Sequence, residues 1–90
     1  MLNVFTATVN RKGNEMKTVE LTTAIEFQTK TSALDSAVRD GRRVIMIAGR
    51  VFSVTKAEAD RLERDGVRFA YVSRVFNRGG IKTVVTVPVN

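Results

Sequence analysis

Residues 44–48 read Val-Ile-Met-Ile-Ala, an apolar side chain at every position. Successive side chains of a β-strand point to opposite faces of the sheet, so a strand here buries both faces. It must lie inside a sheet, and the rest of the chain must cover that sheet on two sides. Residues 42–48 (RRVIMIA) are therefore read as a central strand.

The neighbouring segments offer the cover. In residues 29–41 (TKTSALDSAVRDG), Ser32 has the chemistry of an N-cap, with Asp35 three residues on. Leu34, Ala37 and Val38 share a helical face, and Gly41 stands where a helix stops. Ala48-Gly49 reads as a tight turn into a strand at 50–54, with Phe52 and Val54 pointing one way. Thr55 and Glu58 have the spacing of a capping box, in which each side chain satisfies an amide at the start of the helix. The helix that follows has a thin apolar stripe, Ala59 and Leu62, a mixed-charge face with an Asp60–Arg64 pair, and Gly66 as its stop.

Outside this centre the pattern is extended. Residues 5–10 read as a strand, 11–14 as a turn around Gly13, and 16–27 as a second extended stretch in which Lys17, Val19 and Leu21 share a face. Residues 1–15 can be a dispensable N-terminal strand or tail. In residues 67–76, Phe69, Tyr71 and Val75 alternate toward a core, and Arg68, Ala70, Val72 and Arg74 face the other way. NRGG (77–80) is a turn. In the last strand, 81–89, Ile81, Val85 and Val87 point inward and Lys82, Val84 and Thr86 outward. Pro88 cannot donate to a ladder, which places that end at a sheet edge. The fold class expected is α+β: one small domain over residues 1–90, a mainly antiparallel sheet and two short helices. From 16 to 76 the element order is β-α-β-β-α-β, the connectivity of a ferredoxin-like, split β-α-β core, with hairpin strands added at either end. Arg-Asp-Gly at 39–41 and 64–66, and Arg-Val-Phe at 50–52 and 74–76, are read as convergence on common helix stops and strand residues.

The chain has no cysteine and no histidine. That excludes disulfides, a thiolate nucleophile, a histidine base and the usual zinc sites. Carboxylates, lysine, hydroxyls and the single tyrosine, Tyr71, are what remains for chemistry. Asp60, Glu63 and Asp65 lie among Arg61 and Arg64 and read as surface ion pairs, and no nucleotide-binding glycine loop occurs. No enzyme activity, cofactor or metal is expected. Residues 67–74 match an RNA-recognition strand at Phe69, Ala70 and Val72, but Val67, Arg68 and Arg74 break the pattern.

Charge is divided unevenly. Residues 1–41 hold five basic and five acidic side chains, whereas 42–90 hold ten and four, which accounts for the net +6. All four acids of the second half fall in the charged helix, so Arg42, Arg43, Arg50, Arg68, Arg74, Arg78 and Lys82 are the candidate contacts for an anion. Two functions fit a small, basic, non-catalytic module. One is protein–protein interaction, most simply as a homodimer or with an acidic protein; the other is nucleic-acid binding without sequence preference through a basic strand face. No apolar run approaches the eighteen or so residues needed to cross a bilayer, and the start lacks the order of a secretory signal. Cytoplasmic localisation without membrane contact is expected.

Overall fold

The structure, a computed structural model, describes residues 5–11, 15–80 and 82–89. Strand β1 (Phe5–Arg11) pairs with β2 (Glu15–Leu21) as an antiparallel two-stranded sheet. The chain continues through β3 (Ile25–Phe27), α1 (Lys30–Asp40), β4 (Arg43–Ile47), β5 (Arg50–Val54), α2 (Lys56–Arg64), β6 (Phe69–Phe76) and β7 (Lys82–Val89). These five later strands form one sheet in the order β3-β5-β4-β6-β7, with every adjacent pair antiparallel. The domain is α+β, and β4 is its middle strand. The predicted turn at 11–14 falls mostly outside the described residues.

Both faces of β4 are covered, as its composition requires. Val44 and Met46 pack with Ala33, Leu34 and Ala37 of α1, along with Val51 and Val72. Ile45 and Ile47 pack with Ala59 and Leu62 of α2, Val19 and Leu21 of β2, and Phe52, Val54 and Phe69. The layers are α1, the five-stranded sheet, and then α2 together with β2.

The element order β-α-β-β-α-β is present, but the strands do not take ferredoxin-like positions. Strands β3 and β4 run parallel with β5 between them, and β5 and β6 run parallel with β4 between them. Each is a split β-α-β unit. In the ferredoxin-like arrangement the second unit steps back across the sheet, and both helices share one face. Here both units step the same way from oppositely directed strands. Crossovers of one hand then leave the two helices on opposite faces.

Local signals explain the element ends, with three corrections. First, the N-cap of α1 is Thr29 rather than Ser32: Thr29 has an extended φ of −128°, and its hydroxyl accepts from the Ser32 amide at 3.1 Å. Ser32 lies inside the first turn, because starting at Thr29 adds a turn that brings Ala33 onto the sheet. Second, Val38 does not share the buried face and is 78% exposed. The stripe is Ala33, Leu34 and Ala37, and Val38 lies about 100° round the axis from Ala37. Third, the capping box at α2 is made in one direction only. The Thr55 hydroxyl accepts from the Glu58 amide at 3.2 Å, but the Glu58 carboxylate turns away from the helix.

That carboxylate is bound by the linker between β2 and β3. It accepts from the amide and hydroxyl of Thr22 at 2.9 and 3.0 Å, and from those of Thr23 at 3.0 and 2.6 Å. The Thr55 amide donates to the Thr23 hydroxyl at 3.3 Å, taking the partner that a reciprocal box would have supplied. Arg61 comes within 3.4 Å of Glu58 and 3.5 Å of Asp65, and also donates to the Glu20 carbonyl at 2.9 Å. Arg61 therefore makes ion pairs on α2 where Asp60–Arg64 was expected. Burial pushes the Glu58 carboxyl up, but the hydrogen bonds from Thr23 and Thr22 outweigh it and hold the group below its ordinary value of 4.5. Among the described residues no buried side-chain nitrogen or oxygen lacks a partner.

Ala48 and Gly49 form the two-residue turn between β4 and β5, both with positive φ, 52° and 75°. This is the backbone of a primed hairpin turn, which strains an alanine.

Three stability outcomes follow. Thr55→Ala removes the N-cap of α2 and is expected to cost about 1 kcal/mol in urea unfolding; coincident midpoints would contradict this. Glu58→Gln is expected to cost about 2–3 kcal/mol at neutral pH, since charge-assisted hydrogen bonds become neutral ones. A depressed carboxyl stabilises the fold above its unfolded value and loses that contribution as pH falls through the folded value. The difference between parent and Glu58→Gln should therefore shrink as pH drops below about 4.5. Ala48→Asn, which tolerates the left-handed region, should stabilise by about 0.5–1 kcal/mol, read as a raised urea midpoint.

Candidate nucleic-acid and protein interface

The seven basic residues singled out by charge do not form one surface. Arg42 is half-buried between α1 and β4. Its guanidinium donates to the Ser53 hydroxyl at 2.6 Å, to the Ser53 carbonyl at 2.9 Å and to the Thr23 carbonyl. Arg50 lies toward the other side of the sheet and grips Glu26 of β3 with two hydrogen bonds of 2.8 Å. Its guanidinium also lies 5.9 and 5.0 Å from the ring centres of Phe5 and Phe52 and donates to the Thr6 carbonyl at 3.2 Å. The Arg50 hydrogen bond holds the Glu26 carboxyl below its ordinary range. Arg42 and Arg50 thus act as internal ties between segments. Through Phe5, which meets the Phe52 ring at 5.3 Å, Arg50 also ties the N-terminal strand to the body.

Arg74, Arg78 and Lys82 share the β6–β7 hairpin, with Arg43 at the adjacent start of β4. Arg68 stands just before β6, at the hairpin's other end. The register explains why the hairpin is special. Strand β4 pairs with β6 only from Ala70 to Val72, while β6 and β7 pair from Phe69↔Val89 to Phe76↔Lys82. Beyond Val72 the pair continues as a two-stranded ribbon with no third strand.

The ribbon corrects the expected face of residues 67–76. Alternation is as read, and Phe69 is buried on the α2 side with Tyr71 packed against that core. Val75 shares their face, yet it is 44% exposed because the sheet has ended. The opposite face is not open along its length: Arg68 is exposed, Val72 is buried under α1, Arg74 is half-buried, and Phe76 is exposed again.

On that α1 side, antiparallel register places Arg74, Phe76, Val84 and Lys82 together. Arg74, Phe76 and Lys82, with Val38, Gly41 and Arg43, border a groove of about 720 Å³ between the end of α1 and the ribbon. Arg74 donates to Asp35 of α1 at 2.9 Å, which anchors the ribbon base and uses that charge internally. Phe76 is 66% exposed, with the Lys82 ammonium 5.7 Å from its ring centre. The Asn77 amide donates to the Thr83 hydroxyl at 2.9 Å across the tip, and Gly80 closes the turn onto the Asn77 carbonyl at 3.1 Å. Phe76 was absent from the candidates drawn from charge. Its only sequence signal is a position beside the 77–80 turn, where a strand outlasts its neighbours.

Tyr71 was one of the groups that remained for chemistry. Burial, followed by the charges of Glu63 and Asp60, pushes its hydroxyl above its ordinary value of 10.0. A phenol that keeps its proton at neutral pH is a poor base or nucleophile. No helix among the described residues is long and apolar enough to cross a membrane.

Comparisons of the chain with protein-family models, with curated proteins and with solved structures find no match.

Proposed function

We propose that the protein is a non-catalytic interaction module that pairs with a second copy of itself through strand β7. The observation that carries this reading is the character of that edge. Strand β7 is eight residues long and ends the sheet, and from Thr83 to Val89 it carries no charge. Edge strands of monomers are ordinarily short, charged or covered, because an open ladder recruits other strands. The opposite edge, β3, is only three residues long.

Exposed apolar side chains support the same reading on both faces of β7. Val84, on the α1 side, is 37% exposed, and Val87, on the other side, is 55% exposed. Continuing the sheet into a second copy would give both of them cover.

Pro88 limits how two copies can align. It lies in the ladder opposite Ala70, and a residue without an amide hydrogen fits there when its nitrogen points away from β6. Backbone groups alternate in direction along a strand, so those of Thr86, Val84 and Lys82 also point outward. An antiparallel pairing centred on Val84 sets Lys82 of one copy against Thr86 of the other. It avoids both Pro88 and lysine–lysine repulsion.

Light scattering should give a dimer mass at tens of micromolar protein, the range of modest interfaces. Thr86→Pro removes an outward donor and leaves the β6 ladder intact, so it should give a folded monomer. A parent that is monomeric from near-millimolar concentration down through a tenfold dilution would overturn the reading. So would a Thr86→Pro protein that dimerises like the parent.

A further inference from the structure

The β7 edge does not account for the tip of the ribbon. The Phe76 ring, 66% exposed, belongs to neither core cluster of the domain. Its surroundings are cationic. Lys82 lies against the ring, Arg78 is exposed in the adjoining turn, and Arg43 lines the neighbouring groove. Asp35, on the facing side of α1, is already neutralised by Arg74. The four acids of the second half lie in or beside α2, on the opposite face of the sheet.

We propose that the β6–β7 ribbon is a contact site for single-stranded nucleic acid. Phe76 stacks on one base, and Lys82 and Arg78 neutralise the neighbouring phosphates. An exposed ring flanked by cations is the arrangement that single strands use, because every base has a π-face and the backbone can follow a basic groove. A duplex keeps its base faces stacked internally, so the ring would have no partner there without the cost of unstacking. An acidic peptide would satisfy the cations but would leave the ring unused. Arg74 positions the ribbon through Asp35 and is not itself a phosphate contact. Binding is sequence-tolerant, since the ring reads only a π-face.

The site is separate from the dimer edge, which uses outward backbone groups of β7. If two copies pair there, a twofold axis normal to the sheet brings both ribbons to the same side. The site gains a second copy without changing its chemistry.

The test is fluorescence anisotropy of the full chain with labelled fifteen-nucleotide oligo-dT, oligo-U and a duplex of equal length, between about 50 and 200 mM salt. The parent should bind both single strands and prefer them to the duplex. Its log–log salt slope should be about −0.7 per phosphate contact. Phe76→Ala should weaken single-strand binding roughly 5- to 150-fold, the range for losing one stacked base. Phe76→Trp should retain it. Arg78→Ser/Lys82→Ser should flatten the salt slope by about 1.4, two contacts' worth. Lys56→Ser/Arg64→Ser, on α2, should change little. Phe76 is exposed, so its variants should keep the parent's urea midpoint and mass, whereas Thr86→Pro changes mass. Loss of the dimer and loss of this site are therefore read separately. No binding at 50 mM salt overturns the proposal, as does a Phe76→Ala protein that binds like the parent. Duplex bound as tightly as single strands, or full displacement by polyglutamate at equal charge, also overturns it.

Discussion

The domain depends on one carboxylate being somewhere other than where a capping motif would put it. Glu58 gathers four hydrogen bonds from Thr22 and Thr23, the residues at which the chain leaves the two-stranded sheet and enters the five-stranded one. Unpaired amides at such a crossing would be costly where the chain passes against the body of the protein. Arg42 completes the joint by holding the Thr23 carbonyl and Ser53. The β1–β2 hairpin is thereby held beside α2, where Val19 and Leu21 cover Ile45 and Ile47. Without this joint, one face of the central strand would lose part of its cover.

The second constraint is a mismatch of lengths. Strand β4 has five residues and β6 and β7 have eight each. The excess has nothing to lie on, so the hairpin leaves the body as a ribbon. That single fact exposes Val75 and Phe76 and opens the groove beside α1, while the strand order leaves β7 as a long open edge. Both proposed activities, self-pairing and single-strand binding, use this hairpin, one through the outward backbone of β7 and one through the side chains of the overhang.

The basic residues show how net charge misleads when it is not placed in space. Arg42, Arg50 and Arg74 look alike in the sequence, yet each is engaged by the fold: Arg42 with Ser53 and Thr23, Arg50 with Glu26, and Arg74 with Asp35. The two acidic partners, Glu26 and Asp35, belong to the half of the chain whose own charge sums to zero. What the basic second half offers an anion is smaller and more localised than its composition suggests.

Elements and their punctuation were legible from the residues, because the signals are local. An unbroken apolar run marked β4 as central, Gly41 and Gly66 marked helix stops, Ala48-Gly49 marked the hairpin turn, and Pro88 marked an edge. The sequence also determined the absence of histidine and cysteine chemistry, and the charge that makes the second half basic. Position in the sheet was decided by tertiary structure alone. Arg-Val-Phe occurs twice, and Phe52 is fully buried while Phe76 is largely exposed. The tripeptides are identical; one lies between two neighbouring strands and under α2, and the other lies past the point where β4 ends. Strand order, the opposed helices and the second partner of Glu58 depend in the same way on contacts between residues far apart in the chain. Local periodicity carries no information about which distant strand a segment will meet, or where that strand stops.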